Sequence, residues 1–249
     1  MKTAVIMPTY NEASNIGVMI EELFETVFPG TPGMEMYLVV VDDDSPDGTG
    51  DVVRLKMPRF PNLHLLSGKK AGLGAAYLRG MTYSMEHLRA DALIEMDADF
   101  QHSPVCIIDM AAEFDQGADV IIGSRYVKGS SVSPSWGFWR HTGSRCVNRL
   151  ARILLGCQAP KDLTSGFRMT RVSGVLSEIS LEDLLGIHRF AYKLDLLQRI
   201  ISLSNKTVEI PFLFSERVRE RTKFSIWEAA AILRVLLHLW VRQACRPVP

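Results

Sequence analysis

Cysteine is scarce in this chain, and what there is lies scattered. Cys106, Cys146, Cys157 and Cys245 form no CxxC pair and no metal-ligand spacing, which argues against a thiolate metal site or a disulfide framework. They read as buried thiols of a reducing compartment, because disulfides persist only where the surroundings are oxidising. An excess of one charge is missing too. The 28 Lys and Arg are balanced by 28 Asp and Glu, so the basic footprint of a nucleic-acid binder is lacking. Nor is any run long and apolar enough to span a bilayer, which takes about 20 residues. Ile226 to Val241 comes nearest, but Glu228, Arg234 and His238 interrupt it and Arg242 follows at once. Met1-Lys2-Thr3 leads straight into the strand-like Ala4-Val5-Ile6-Met7 without the pattern of a signal peptide. The folded body is therefore expected in the cytosol, soluble or peripheral to a membrane.

What is present is a full hydrophobic complement. At 249 residues, 47% of them hydrophobic, the chain can bury the core of one ordinary α/β domain. Ala4–Met7, Tyr37–Val41, Leu63–Leu66, Ala92–Met96 and Val120–Ile122 read as strands, and several are continuous apolar runs. Such runs suit parallel strands covered by helices on both faces. Between them, Ile16, Ile20, Leu23, Phe24 and Val27 share one helical face, and Ser103-Pro104 resembles a helix start. Gly129 to Trp139 reads as a long loop, Cys146–Leu155 as helical, and Val208–Phe214 as a late strand. Alternation of this kind predicts a mostly parallel sheet flanked by helices, with ligands beyond the carboxyl ends of the strands.

The polar clusters fall at those ends. Asp97-Ala98-Asp99 follows the fourth strand, and carboxylates at i and i+2 can face one cation while Gln101 adds an amide oxygen. Hard oxygen donors suit Mg²⁺ or Mn²⁺, which keep positions for diphosphate oxygens. Two solvated loop acids would look the same in isolation. Asp42-Asp43-Asp44 ends the second strand, where a carboxylate can accept from a ribose or base, whereas Ser45 to Thr49 is also turn and capping chemistry. Tyr10 and Glu12, after the first strand, could stack on and hydrogen-bond a base. Gly68 to Gly74 lacks the ending of a Walker A motif and does not match GxGxxG, so it predicts close helix packing beside a diphosphate. Kinase, NTPase and dehydrogenase readings fall with those motifs.

The order of these pieces is more specific than any one of them. PTYNE, DDDSPDGT, KKAGLGAA, MDADFQHSP, GSRY and DLTSGFR, in that sequence over residues 3 to 225, resemble the GT-A glycosyltransferases of family 2, and among them the dolichyl-phosphate (polyprenyl-phosphate) mannosyltransferases. The resemblance implies a GT-A, Rossmann-like catalytic domain over 1–225 and a C-terminal amphipathic helix over 226–249. It implies that Pro8, Tyr10, Glu12, Val41 and Asp43 hold a guanosine, that Asp97, Asp99 and Gln101 hold Mg²⁺ or Mn²⁺, and that the Ala98 backbone faces the nucleotide sugar. Arg125, Arg140 and Ser144 are implied at the acceptor phosphate. Arg217 and Lys223 are implied on a mobile loop that closes over the donor diphosphate, so that Asp99, Arg125, Arg217 and Lys223 carry catalysis. Asp44 departs from the family pattern, in which a glycine usually follows the acidic pair, and that bears on the local turn.

The implied reaction is an inverting displacement from GDP-mannose onto a dolichyl or polyprenyl phosphate, on the cytosolic face of a membrane and without nucleic acid. A UDP-sugar donor on the same scaffold is the near alternative, and a non-catalytic nucleotide-sugar-binding scaffold the distant one. In the terminal helix, Glu228, Arg234, His238 and Arg242 form a narrow stripe beside a wide apolar face with Trp227 and Trp240. That pattern fits a helix lying in a membrane interface, or one packed on the body or a partner.

Overall fold

The computed structural model describes residues 1–132, 137–156, 159–214 and 226–244. Its centre is β1 (Lys2–Thr9), paired in parallel with β2 (Glu35–Asp42) on one side and β4 (Ala92–Glu95) on the other. Parallel pairing continues from β2 to β3 (Leu63–Ser67). Beyond β4 the sheet runs through β7 (Arg168–Arg171), β5 (Val120–Ser124) and β8 (Thr207–Pro211), giving the order β3-β2-β1-β4-β7-β5-β8. A short parallel ribbon pairs β6 (Ser131–Val132) with β9 (Leu213–Phe214).

The continuous apolar runs have the predicted cause. Ala4, Ile6, Val39 and Val41 point to one face, which is covered by α3 (Leu73–Glu86), α5 (Gly137–Leu154), α6 (Tyr192–Leu203) and α7 (Ile226–Ala244). Val5, Met7, Leu38 and Val40 point to the other, under α1 (Ala13–Glu22), α2 (Thr49–Lys56) and α4 (Cys106–Asp115). A strand buried on both sides has no polar face to alternate. The layers also fit tightly. A Cβ added at Gly80 of α3 would stand 2.4 Å from Ile6 Cγ2 and 2.9 Å from a Val41 methyl. Gly80→Ala is therefore expected to destabilise: overpacking costs about 1–3 kcal/mol, against at most about 1 kcal/mol of improved helix propensity. A urea titration giving a midpoint equal to or above that of the parent would show that the α3–β1 contact can yield.

Four local expectations are corrected. β7 runs antiparallel to both β4 and β5, a strand that Arg-Met-Thr-Arg, without an apolar run, does not announce. The late strand is split: β8 ends at Pro211, which has no N–H to continue a ladder, and Leu213–Phe214 joins β6 instead. Helix α4 begins at Cys106 without a side-chain cap; the Ser103 carbonyl accepts the Cys106 N–H at 3.2 Å. Cys106 is half-buried and Cys146 exposed rather than core, while Cys157 and Cys245 lie outside the described residues.

Helix α7 has two apolar faces. Ile232, Val235, Leu236 and Leu239 pack into the core beside α5 and α6, and Glu228 pairs with Arg189 at 2.9 Å. Leu233, Leu237, Trp240 and Val241 remain exposed. No helix among the described residues is long and apolar enough to cross a membrane.

Candidate active site

Strand order reverses at β1, because the chain steps outward to β2 and β3 and then returns to place β4 on the opposite side. A crevice opens at such a switch point beyond the carboxyl ends of the strands. The loops after β1, β2 and β4 deliver Tyr10 and Glu12, Asp43, and Asp97 with Asp99 to that edge.

The three acids after β2 have separate tasks. Asp42 is spent on structure, accepting from Thr9 Oγ1 at 2.9 Å, from Ser45 Oγ at 2.6 Å and from the Ser45 N–H at 3.0 Å. Asp43 is buried and accepts from Arg79 at 3.1 Å; burial pushes its carboxyl above the usual range, against the pull of Arg79. Asp44 has φ +54, the left-handed region that favours glycine, so the departure at this position changes the side chain while keeping the turn. Asp47 is structural, accepting from the Ala13 N–H and from Thr49. Pro8 and Val41 lie in register across the parallel β1–β2 pair.

Glu12 precedes α1; its backbone N–H donates to Thr49 Oγ1 at 2.9 Å, and its carboxylate accepts from Asn15 at 2.8 Å. The Lys70 ammonium sits 3.2 Å from the centroid of the Tyr10 ring. A base stacking there must take the opposite face or displace that cation. Gly72 and Gly74 do make a close approach, but to the chain itself: an added Cβ at either would lie 2.3 Å from a carbonyl oxygen, of His188 or Ile187.

Asp97 and Asp99 follow β4 directly. Asp97 Oδ1 accepts from the Tyr77 hydroxyl at 2.7 Å, and its N–H donates to His102 Nδ1 at 3.1 Å. Asp99 is buried and accepts from the Gln101 N–H at 3.1 Å. Between them Phe100, at φ +61, bends the chain so that this N–H can reach back. Beneath lies a buried polar layer that the sequence reading did not identify. Arg168 is paired with Glu95, its direct neighbour in the β4–β7 register. Glu95 also accepts from Tyr192 at 2.8 Å, and Arg168 donates to the Lys193 carbonyl at 3.0 Å. Lys193, fully buried, donates to the Gly166 carbonyl at 3.1 Å and lies 4.3 Å from the Tyr77 ring centroid; burial lowers its pKa, opposed by the field of Asp97 and Glu95.

The proposed acceptor residues are placed unevenly. Arg125 is turned inward, donating to Asp162 at 2.8 and 2.7 Å and to Thr164 at 2.7 Å. Ser144 accepts from the Tyr126 hydroxyl at 2.6 Å. Arg140 belongs to the first turns of α5, but its side chain is outside the described residues, as are Arg217 and Lys223 entirely.

The sequence profile of Glycosyl transferase family 2 matches residues 4–175, a stretch that includes every described site loop from Tyr10 to Arg168. The chain belongs to glycosyl transferase family 2. It is 37% identical over 228 residues to polyprenol monophosphomannose synthase of Mycolicibacterium smegmatis, covering 90% of this chain and 81% of that protein. It is 35% identical to dolichol-phosphate mannosyltransferase of Pyrococcus furiosus, over 96% of this chain and 63% of that longer protein. It is 34% identical to undecaprenyl-phosphate mannosyltransferase of Micrococcus luteus, over 90% and 88%. Among solved structures, mannosyl-3-phosphoglycerate synthase from Rubrobacter xylanophilus superposes with a TM-score of 0.62 at 17% identity, covering 100% of this chain and 77% of that one. At that identity the likeness concerns the fold, the GT-A architecture of the family.

The donor set of this family 2 chain fits a hard divalent cation bound jointly with substrate. Among the described residues no three His, Cys, Asp or Glu converge on one point, and the carboxylates that follow β4 are Asp97 and Asp99. Mg²⁺-type sites are often built that way, from one or two carboxylates, water and substrate phosphate oxygens. Gln101 contributes its N–H to the Asp99 turn.

His102 stacks on Phe167 with ring centroids 5.0 Å apart, and burial lowers its pKa to about 4. Its Nδ1 accepts the Asp97 N–H, so the folded ring is neutral. The unfolded chain takes up a proton near pH 6.5 that the folded one refuses until about pH 4. Stability is thus full above that window and falls as pH drops through it, by roughly 3 kcal/mol in total. Urea unfolding at several pH values is expected to show this slope in the parent and to lose it in His102→Gln. An equal slope in both would mean that the ring takes up its proton at the same pH folded and unfolded.

Proposed function

We propose that this chain transfers mannose from GDP-mannose to the phosphate of a polyprenyl or dolichyl lipid. The reading is carried by its relationship, at 34–37% identity over most of its length, to three such enzymes. The acidic switch-point crevice supports it chemically. A lipid phosphate monoester has a second pKa of about 6, so its oxygen is an anionic nucleophile near neutral pH and needs no strong general base. That oxygen attacks the anomeric carbon from the face opposite the leaving group. The C–O bond to the diphosphate breaks, GDP departs with the electron pair, and the configuration inverts.

The residues supply position and charge. Asp43 is proposed at the guanosine, with Pro8, Tyr10, Glu12 and Val41 forming its surroundings and the Ala98 backbone beside the sugar. Asp97 and Asp99 would hold Mg²⁺ or Mn²⁺, which when bound supplies charge neutralisation to the departing diphosphate. Arg217 and Lys223 are proposed to close on the same diphosphate, where a contact that strengthens as charge develops raises turnover. Arg140 and Ser144 are proposed at the lipid phosphate. Arg125, locked to Asp162, orders the turn that holds Tyr126, whose hydroxyl reaches Ser144. The exposed strip of α7 is proposed to rest on the cytosolic membrane surface.

Incubation with radiolabelled GDP-mannose, a short polyprenyl phosphate and Mg²⁺ or Mn²⁺, followed by lipid extraction, tests this. Label in the lipid phase is expected. Label from UDP-sugars alone would change the donor, and nucleotide binding without transfer of any sugar would make the chain a scaffold.

A further inference from the structure

Tyr77 belongs to the core by burial and to the acidic crevice by contact. Its side chain is fully enclosed, yet its hydroxyl donates to Asp97 Oδ1 at 2.7 Å, and Asp97 is half-buried at the crevice edge. The packing of α3 explains the reach. Gly80, later on the same buried face, has no side chain to hold the helix away from Ile6 of β1. Ile6 is the register neighbour of Glu95 on β4. As the crossover between parallel strands, α3 runs antiparallel to them, so its N-terminal end lies toward their carboxyl ends. From Gly80 back to Tyr77 the helix climbs about 4.5 Å. From Glu95 on to Asp97 an extended chain climbs about 6.6 Å. Tyr77 and Asp97 therefore arrive at nearly the same height.

The ring is held from two directions. The Lys193 ammonium lies 4.3 Å from its centroid, and the Tyr192 ring 6.0 Å from it. A cation against the π face draws electron density out of the ring, which strengthens the hydroxyl as a donor. A buried tyrosine hydroxyl needs an acceptor, and a backbone carbonyl would serve for stability alone. Here the acceptor is the first of the two carboxylates that follow β4, and the backbone N–H of the same residue donates to His102 Nδ1 at 3.1 Å. Asp97 is thus tied at main chain and side chain alike, which sets the plane of its carboxylate before a cation arrives.

We propose that Tyr77 is a positioning residue for the divalent cation, its hydroxyl fixing the direction in which the Asp97 carboxylate faces the metal. This rests on the reading of Asp97 and Asp99 as cation ligands. Partners that orient a ligating carboxylate are worth about 10–100-fold in metal affinity. They also bear on selectivity, because small octahedral cations demand near-ideal geometry whereas Ca²⁺ accepts scattered oxygens. A carboxylate free to rotate would still attract Ca²⁺ by charge, but would hold Mn²⁺ poorly.

The test is calorimetric titration of the full chain and of Tyr77→Phe with GDP, in saturating Mn²⁺, in saturating Ca²⁺ and in excess chelator. Phenylalanine keeps the ring and its contact with Lys193 and removes the hydroxyl alone. GDP affinity in Mn²⁺ is expected to fall by at least about tenfold. In chelator it is expected to stay within about twofold, and in Ca²⁺ within about threefold. The melting temperature is expected to drop by at most about 4 °C. Unchanged affinity in Mn²⁺ overturns the proposal and leaves the hydroxyl merely satisfied by Asp97. An equal loss in chelator overturns it by making Tyr77 part of the nucleotide pocket, and an equal loss in Ca²⁺ by showing that aim is not what the hydroxyl supplies. A melting temperature lower by more than about 10 °C assigns the hydroxyl to the fold instead. If the parent binds GDP equally with and without Mn²⁺, the cation reading of Asp97 and Asp99 fails along with the proposal. The mannosyl-transfer reading stands or falls separately, on labelling of lipid by the parent.

Discussion

Asp99→Asn is expected to lower metal-dependent transfer by a factor of about 10²–10³ with little change in stability. The substitution keeps volume, and the amide oxygen can still accept the Gln101 N–H that closes the Asp99 turn at 3.1 Å. It removes the formal charge. In the proposed metal site a divalent cation would keep Asp97 as its remaining carboxylate ligand, and the departing diphosphate would lose part of the neutralisation that cation brings. Asp99 is buried, so a neutral side chain there costs no solvation, and stability is expected within about 1 kcal/mol of the parent. Initial rates across a Mn²⁺ titration, together with thermal melts, decide the matter. Near-normal turnover at limiting metal, or full parental activity in excess chelator, would remove Asp99 from the metal site.

Much of this site was legible in the sequence because its signals are local. A parallel strand buried on both faces announces itself as an apolar run: Ala4–Met7 and Tyr37–Val41 lie within strands, and Ala92–Met96 does so up to Glu95. The acids that follow are then placed by chain continuity alone. Partner choice at distance was not legible. Nothing in Asp42-Asp43-Asp44 says that the first acid binds Thr9 and Ser45 while the second faces Arg79. Arg125, read as a phosphate ligand, is held by Asp162, an acid 37 positions along the chain. β7 was hidden for a related reason. Arg168 is a charged residue in a central strand, admissible only because Glu95 stands opposite it. Helix α6 was obscured likewise, since the buried Lys193 and Asp195 interrupt its apolar period.

The same buried layer carries the largest expected change in stability. Arg168→Met leaves Glu95 charged, enclosed and without its guanidinium partner, and also frees the Lys193 carbonyl. Breaking a buried pair from one side costs about 3–5 kcal/mol, whereas an exposed pair such as Arg54 with Asp51 costs well under 1 kcal/mol. For a chain of this length each kcal/mol moves the melting temperature by about 2–4 °C, so a fall near 10 °C is expected. Removing both charges in Glu95→Leu/Arg168→Met is expected to recover most of that loss, since the ions no longer need mutual compensation. The recovery is incomplete because the Tyr192 hydroxyl, which donates to Glu95 at 2.8 Å, is stranded at a cost of about 1–3 kcal/mol. Adding Tyr192→Phe is expected to return part of the remainder. Glu95 ends β4 two residues before Asp97, so Arg168→Met is also expected to weaken transfer at temperatures where the variant is fully folded. The triple variant, with β4 repacked, is expected to regain more stability than activity, because the polar floor under Asp97 has gone. Calorimetry and transfer rates on the single, double and triple variants supply the comparison. If Arg168→Met alone melts with the parent, the pair is not the buried, mutually dependent unit described here, and the placement of β7 beside β4 fails with it.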